Sequence, residues 1–108
     1  MNVHVPIDIL ARHASGVADM LKLLANTQRL LLLCRLRDGE CAVGELIEAC
    51  ALSPASVSPS SVSQHLGRLR DAKVVTTRRE GTTIYYRLAN DDIRSLIEIL
   101  CERFGPRL

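Results

Sequence analysis

The stretch SPSSVSQHLGRLRDA at residues 58–72 decides the predicted fold of this chain. Its first residue, Ser58, is a favourable helix N-cap, and Pro59 suits the first helical position, where its missing N–H would have no partner in any case. Apolar residues then recur at helical spacing, so one face of the helix packs inward. That face consists of Val62, Leu66 and Leu69. The opposite face carries short polar and basic side chains, namely Ser60, Ser61, Ser63, Gln64, His65, Arg68 and Arg70.

Four more helices are predicted around this one. Apolar residues recur every three or four positions over 7–24, which indicates an amphipathic helix. The helix predicted over about 27–37 is apolar on more than one face and should therefore be central and buried. A short helix is predicted over 43–50, and the Ser/Pro-rich stretch 51–58 separates it from the helix after Pro59. The last helix runs from Asp91 to about Phe104.

Two strands are predicted before the last helix. Residues Val75–Arg79 and Thr82–Leu88 are rich in Thr, Val, Ile and Tyr, and Glu80-Gly81 between them indicates a two-residue turn. The resulting order is four helices, a hairpin and a helix. It predicts a mainly α domain with a β-hairpin wing, about five helices and two strands, in which a short helix and the helix after Pro59 form a helix-turn-helix. The length of 108 residues suits one domain over 1–108.

The first and last predicted helices each carry an apolar stripe. A chain of this length buries only a modest fraction of its surface, so stripes on terminal helices favour pairing with another molecule. The two stripes therefore indicate dimerisation.

Basic residues are concentrated in the second half of the chain. The formal net charge is only +2, but residues 58–79 carry five Lys or Arg residues against one Asp, whereas 39–57 carry three Glu residues and no Lys or Arg. A helix-turn-helix with such a surface predicts binding to double-stranded DNA, with its second helix in the major groove. Gln64 can pair with adenine and Ser63 can bond base edges, while Arg68 and Arg70 suit phosphates.

The hairpin adds a second basic surface. Arg78, Arg79 and Thr82 surround its glycine turn and are predicted to contact phosphates or the minor groove. For His65 the sequence leaves two interpretations open, a buried and hydrogen-bonded side chain or a phosphate contact. A winged helix used for protein–protein contact remains an alternative, which the salt dependence of DNA binding would test. An enzyme is not expected, because no Cys-x-x-Cys, nucleophile elbow or phosphate loop is present.

Several motifs together resemble the ArsR/SmtB family of bacterial repressors. They are ANTQRL at 25–30, VGEL at 43–46, SVSQHL at 61–66, and RREG at 78–81 followed by YYRL at 85–88. The resemblance implies a homodimer paired through the first and last helices, which the two apolar stripes fit. It also implies a repressor that binds an imperfect palindrome at a promoter and leaves it when an inducer is sensed. The chain departs from the family by about four extra residues around 54–57.

The inducer is predicted from the residues that the family uses for sensing. A metal site is not expected, because Ala42 and Gly44 occupy the positions of one recurring cysteine pair, and the last helix lacks the His of another site. No cofactor is expected. The chain looks like the thiol-sensing branch, which responds to reactive sulfur species or oxidants through one cysteine in the second helix and another in the last helix. Cys34 matches the first, and Cys101 lies about one turn before the second.

Two other outcomes remain open for the cysteines. Arsenite or another thiophilic ion would need three converging thiols, and packing without any sensing role is common for cysteine. Cys41, in a polar turn, is expected to be the most exposed candidate, and Cys50 is expected to be buried. The chain shows no signal peptide and no membrane-length apolar run, so a cytoplasmic location is expected.

Overall fold

Five helices and a three-stranded antiparallel sheet form the described part of the computed structural model, which comprises residues 4–51 and 58–105. In chain order the elements are α1 (Ile7–Leu24), α2 (Thr27–Arg37), β1 (Cys41–Ala42), α3 (Val43–Ala51), α4 (Pro59–Asp71), β2 (Val75–Glu80), β3 (Thr83–Leu88) and α5 (Asp91–Phe104). The predicted fold class is confirmed, and the sheet has one short strand more than predicted. The extra residues around 54–57 lie outside the described residues.

Three helices begin at the caps that the sequence indicated. The side-chain oxygen of Asn26 accepts a hydrogen bond from the backbone N–H of Arg29 at 3.0 Å, and that of Asn90 accepts from Ile93 at 2.9 Å. The Ser58 hydroxyl accepts from the N–H of Ser61 at 3.2 Å. Each cap satisfies one of the N–H groups that a helix leaves without an internal partner, which explains why these starts are readable from sequence.

The sheet has the order β1-β3-β2, with β2 and β3 forming the wing. The register pairs Val75 with Leu88 and Glu80 with Thr83, so the turn is Gly81-Thr82 and not the predicted Glu80-Gly81. Gly81 has φ +62°, a left-handed conformation that glycine adopts readily at the first position of a two-residue loop. Thr82 therefore lies in the turn and not in the strand.

The core is aliphatic and centred on α2. Side chains of all five helices and all three strands reach it, and its fully buried members include Leu33, Leu36, Leu46, Leu66 and Ile97. The three apolar residues predicted to face inward on α4 are all inaccessible to solvent. The predictions that α2 is central and that α4 packs by this face are confirmed.

The first helix packs little of its apolar stripe within the protomer. Leu24 is its only fully buried residue, whereas Leu10, Val17 and Leu21 are about half exposed. Phe104, in the last turn of α5, is 82% exposed. Exposed apolar side chains on the first and last helices are typical of a protein–protein contact. None of the helices in the described segments has the length and apolar character needed to cross a membrane.

Candidate nucleic-acid interface

The polar face of α4 points away from the protein. Five of the seven residues predicted for this face are exposed, Ser61 and His65 are half-buried, and the exposed ones are Ser60, Ser63, Gln64, Arg68 and Arg70. The apolar face is fully buried, which fixes the rotation of the helix about its axis. At 13 residues the helix is about 20 Å long, a size that the major groove admits.

The serines at the start of α4 differ in their surroundings. The hydroxyl of Ser58 donates to that of Ser61 at 2.9 Å and lies 3.3 Å from that of Ser60, so both side chains belong to the cap. Ser63 and Gln64, one turn later, are exposed, and no hydrogen bond between described residues involves their side chains. Within residues 4–51 and 58–105, the donors and acceptors of these two side chains are therefore not used by internal hydrogen bonds.

The half-buried His65 contacts a residue that the sequence analysis had not assigned a role. Arg29, in the first turn of α2, brings Nη1 to 3.3 Å from His65 Nδ1. Its Nε donates to the carbonyl oxygen of Leu23, near the end of α1. Burial, followed by the positive charges of Arg29 and Arg68, lowers the pKa of His65. The sequence offered no local signal that distinguishes Arg29 from Arg35 and Arg37 in the same helix.

The two arginines of the wing are held differently. Arg78 donates from Nε to both carboxylate oxygens of Glu40, at 2.9 and 2.8 Å, and from Nη1 to Glu80 at 2.8 Å. Its guanidinium also lies 4.3 Å from the centre of the Tyr85 ring. The hydrogen bond from Arg78 holds the pKa of Glu40 below its ordinary value, so the carboxylate is charged at neutral pH. Arg78 is therefore matched with acids and anchors the wing to the turn after α2.

Arg79 and Thr82 are exposed at the tip of the wing. Arg79 donates from Nε to the carbonyl oxygen of Gly81 at 3.1 Å, and no ion pair between described residues involves it. Of the two wing arginines, Arg79 is thus the one whose charge is available to phosphate. The sequence predicted the same role for both arginines. They differ only in their neighbours in the folded protein, since Arg78 has acidic partners in Glu40 and Glu80.

The structure brings Cys34 of α2 and Cys101 of α5 together in a disulfide. Their Cα atoms are 6.3 Å apart, and 67 positions separate them in the chain. Cys101 therefore reaches Cys34 although it lies one turn before the position implied by the family resemblance. Both residues are half-buried, and Cys34 lines two apolar cavities of about 300 and 270 Å³. The same two helices are joined by a hydrogen bond from Arg94 to the carbonyl oxygen of Arg37 at 3.1 Å.

The expectation that Cys41 is exposed is wrong. Cys41 forms β1, pairs with Tyr86 and is only 1% exposed, because the segment after α2 joins the edge of the sheet and does not remain a free turn. Cys50 is buried, as expected. Burial raises the pKa of both thiols, and the reactive form of cysteine is the thiolate. Within the described residues there is no group of three or more His, Cys, Asp or Glu side chains arranged to hold a metal ion.

The arrangement of an exposed polar helix beside a basic hairpin is that of a winged helix-turn-helix regulator. The family model described as "Bacterial regulatory protein, arsR family" matches residues 26–77. The biofilm growth-associated repressor of Agrobacterium fabrum is 45% identical over 96 residues, which cover 89% of this chain and 78% of that protein. The chain belongs to the arsR family of bacterial regulatory proteins, and the resemblance found in the sequence is confirmed.

Solved structures agree with this assignment. Reduced HlyU from Vibrio cholerae has a TM-score of 0.77 and 34% identity, and the match covers 90% of this chain and 97% of that one. That protein is named as a transcriptional activator. The homodimeric winged helix-turn-helix domain of Mb0332 from Mycobacterium bovis has a TM-score of 0.75 and 32% identity, covering 96% of this chain and 90% of that fragment. The chain is a DNA-binding transcriptional regulator of this family.

Proposed function

We propose that this regulator is a repressor that binds a palindromic operator as a homodimer and leaves it when Cys34 and Cys101 are oxidised. The observation that carries the proposal is the outward polar face of α4, held by a fully buried apolar face. A helix so oriented enters the major groove without rearrangement. The named relatives include both a repressor and an activator, and the 45% identity to the Agrobacterium repressor favours repression.

The contacts to DNA divide by chemistry. Ser63 and Gln64 contact base edges from the middle of α4. Ser60 and Ser61 lie at the N-terminus of α4, near the DNA backbone. Arg68, Arg70 and the wing residues Arg79 and Thr82 contact phosphates, and His65 lies at the edge of this surface. Arg78 anchors the wing, because Glu40 and Glu80 neutralise its charge. This division assigns sequence specificity to α4 and most of the salt dependence to the arginines.

Dimerisation is supported by the exposed apolar surface of α1 and α5. Val17 and Leu21 on α1 and Ile99 and Phe104 on α5 are all at least 49% exposed. The related Mb0332 domain is homodimeric. A two-fold dimer presents two copies of α4, which then contact half-sites about one turn of DNA apart. Since its partner is DNA in a bacterial cell, we assign the protein to the cytoplasm.

The thiol pair supplies the switch. The thiolate of one cysteine attacks the outer sulfur of an organic persulfide, RSSH, and releases RSH once a proton is taken up. The second thiolate then attacks the modified cysteine, which forms the disulfide and releases H₂S. In total two thiols and RSSH give one disulfide, RSH and H₂S. The new bond joins α2 to α5, and because α5 belongs to the dimer surface, it favours a dimer shape in which the two copies of α4 no longer fit both half-sites.

A DNA titration at two redox states tests the proposal. Duplexes selected from a random library by the reduced full-length protein are labelled and titrated with reduced and persulfide-treated protein. We expect steep weakening of binding with salt and a 5- to 150-fold loss of affinity on oxidation, the usual range of such coupling. The Cys101→Ser variant should bind DNA and ignore persulfide, whereas the Cys50→Ala control should still respond. Equal affinity of protein with intact and reduced disulfides, confirmed by mass spectrometry, would contradict the switch.

A further inference from the structure

Arg29 is the one charged residue in the buried set of the described chain, at 8% exposure. It lies where three helices meet. Its backbone N–H completes the cap of α2, its Nε donates to the carbonyl oxygen of Leu23 at the end of α1, and its Nη1 lies 3.3 Å from His65 Nδ1 on α4. A buried charge is costly unless its donors are satisfied. Through these two bonds the guanidinium of Arg29 connects α1, which carries the exposed apolar stripe, to α4, which is proposed to contact DNA.

The chemistry of the Arg29–His65 contact determines where the histidine proton lies. A guanidinium has only donors, so the Nδ1 atom of His65 must accept. A neutral imidazole that accepts at Nδ1 carries its proton on Nε2. The charged groups acting on the ring are Arg29 of α2 and Arg68 of α4, both positive, and they oppose a second proton together with burial. His65 is therefore neutral at pH 7, with Nε2–H as its remaining donor.

We propose that Arg29 is a positioning residue for DNA binding, which joins the end of α1 to α4 through His65 and leaves the Nε2–H of His65 as an uncharged donor to a DNA phosphate. The placement of His65 supports a phosphate, because the ring is half-buried at the edge of the exposed face of α4 and not at its centre. This role rests on the proposed DNA-binding function. Under this proposal both interpretations that the sequence left open apply, since the ring is hydrogen-bonded inside on Nδ1 and is a donor outside on Nε2.

The chain contains its own reference for the opposite tautomer. His13 Nδ1 lies 2.9 Å from the carbonyl oxygen of Ile9, one turn earlier in α1. A carbonyl oxygen only accepts, so Nδ1 of His13 must carry a proton. The two histidines are thus expected to differ in the nitrogen that is protonated, and they can be compared in one sample.

Long-range ¹H–¹⁵N NMR of the reduced, DNA-free, full-length protein tests the Arg29 contact. At pH 7 we expect the Nε2–H form for His65 and a proton on Nδ1 for His13. In Arg29→Met the preference of His65 for the Nε2–H form should weaken and the pKa of His65 should rise. The chemical shifts of His13 should not change. If Arg29→Met does not fold, Arg29→Lys keeps the positive charge but lacks the planar fork of donors that joins Leu23 to His65. The preference of His65 for the Nε2–H form should then weaken, with a smaller rise in its pKa than in Arg29→Met. A protonated Nδ1 on His65 in the wild type would overturn the proposal.

DNA titrations of position 65 test the Nε2–H donor. We expect His65→Ala to lose about 30-fold in affinity, the effect of two hydrogen bonds lost per homodimer, with the salt slope unchanged because no charge is removed. His65→Gln, whose amide can place a donor near the Nε2 position, should recover most of that loss. A salt slope that falls by about 1.8 in His65→Ala, the change for one charged contact from each protomer, would refute the uncharged donor. Absence of DNA binding by the wild type would refute the proposed function instead and leave the NMR result standing.

Discussion

Reduction of the Cys34–Cys101 disulfide should lower the free energy of unfolding by about 4 kcal/mol. The bridge closes a loop of 67 residues, and in the chain-entropy model a loop of that length restricts the unfolded chain by about this amount at 25 °C. The folded state loses little when the bond opens, because Ile97 of α5 stays buried in the core and Arg94 still bonds to the carbonyl oxygen of Arg37. The reduced protein is therefore expected to remain folded but less stable.

Urea unfolding followed by circular dichroism, at a fixed protomer concentration, measures this difference. With a slope of about 1–3 kcal/mol per molar urea, the midpoint should fall by roughly 1.3–4 M when reductant is added. The Cys101→Ser variant should show no response to reductant. The matched control is Cys50→Ala, which alters a buried cysteine outside the bridge and should keep the full response. A difference below about 1 kcal/mol in the wild type would refute the loop-entropy argument.

This prediction also separates switching from denaturation. If oxidation releases DNA while raising the free energy of unfolding, the loss of binding cannot be a consequence of unfolding. Oxidation would then alter how the two copies of α4 fit the DNA, while the free energy of unfolding increases.

Three further predictions concern the wing, the core and the dimer. Arg79→Ala should reduce the salt slope of DNA binding by about 1.8, because each homodimer loses two phosphate contacts. Arg78→Ala should leave the slope nearly unchanged because Glu40 already neutralises that charge, and equal slopes for both variants would refute the division of roles. Leu66→Ala removes a fully buried side chain and should cost about 2–5 kcal/mol of stability by urea unfolding, and a cost under 1 kcal/mol would contradict its central position. Val17→Glu should yield monomers in analytical ultracentrifugation, while the exposed control Ser15→Glu should not; a dimer in both would place the interface elsewhere.

Element boundaries were predictable because their signals are local. Asn26, Ser58 and Asn90 cap helices through bonds to residues three positions away, and the spacing of Val62, Leu66 and Leu69 marks a helical face without knowledge of what covers it. The polar face of α4 follows from the same periodicity. The turn of the wing was misplaced by one residue, because the register that decides it depends on the partner strand.

The pairing of Cys34 with Cys101 was predicted from the family resemblance. The tertiary structure is what brings the two residues close enough to form a disulfide. Other features had no local signal at all. The two-residue strand β1, which buries Cys41, exists only because β3 lies beside it. The bond from Arg29 to His65 spans 36 positions, and that from Arg78 to Glu40 spans 38.

From sequence alone follow the order of the five helices and the two hairpin strands, the inward face of α4 and the class of regulator, since each depends on caps, periodicity and motifs a few residues long. Only the tertiary structure decides which arginine is neutralised, which cysteine is buried and which nitrogen of His65 bears the proton. The charge and protonation of a side chain depend on its neighbours in space, and folding brings those neighbours together from distant parts of the chain.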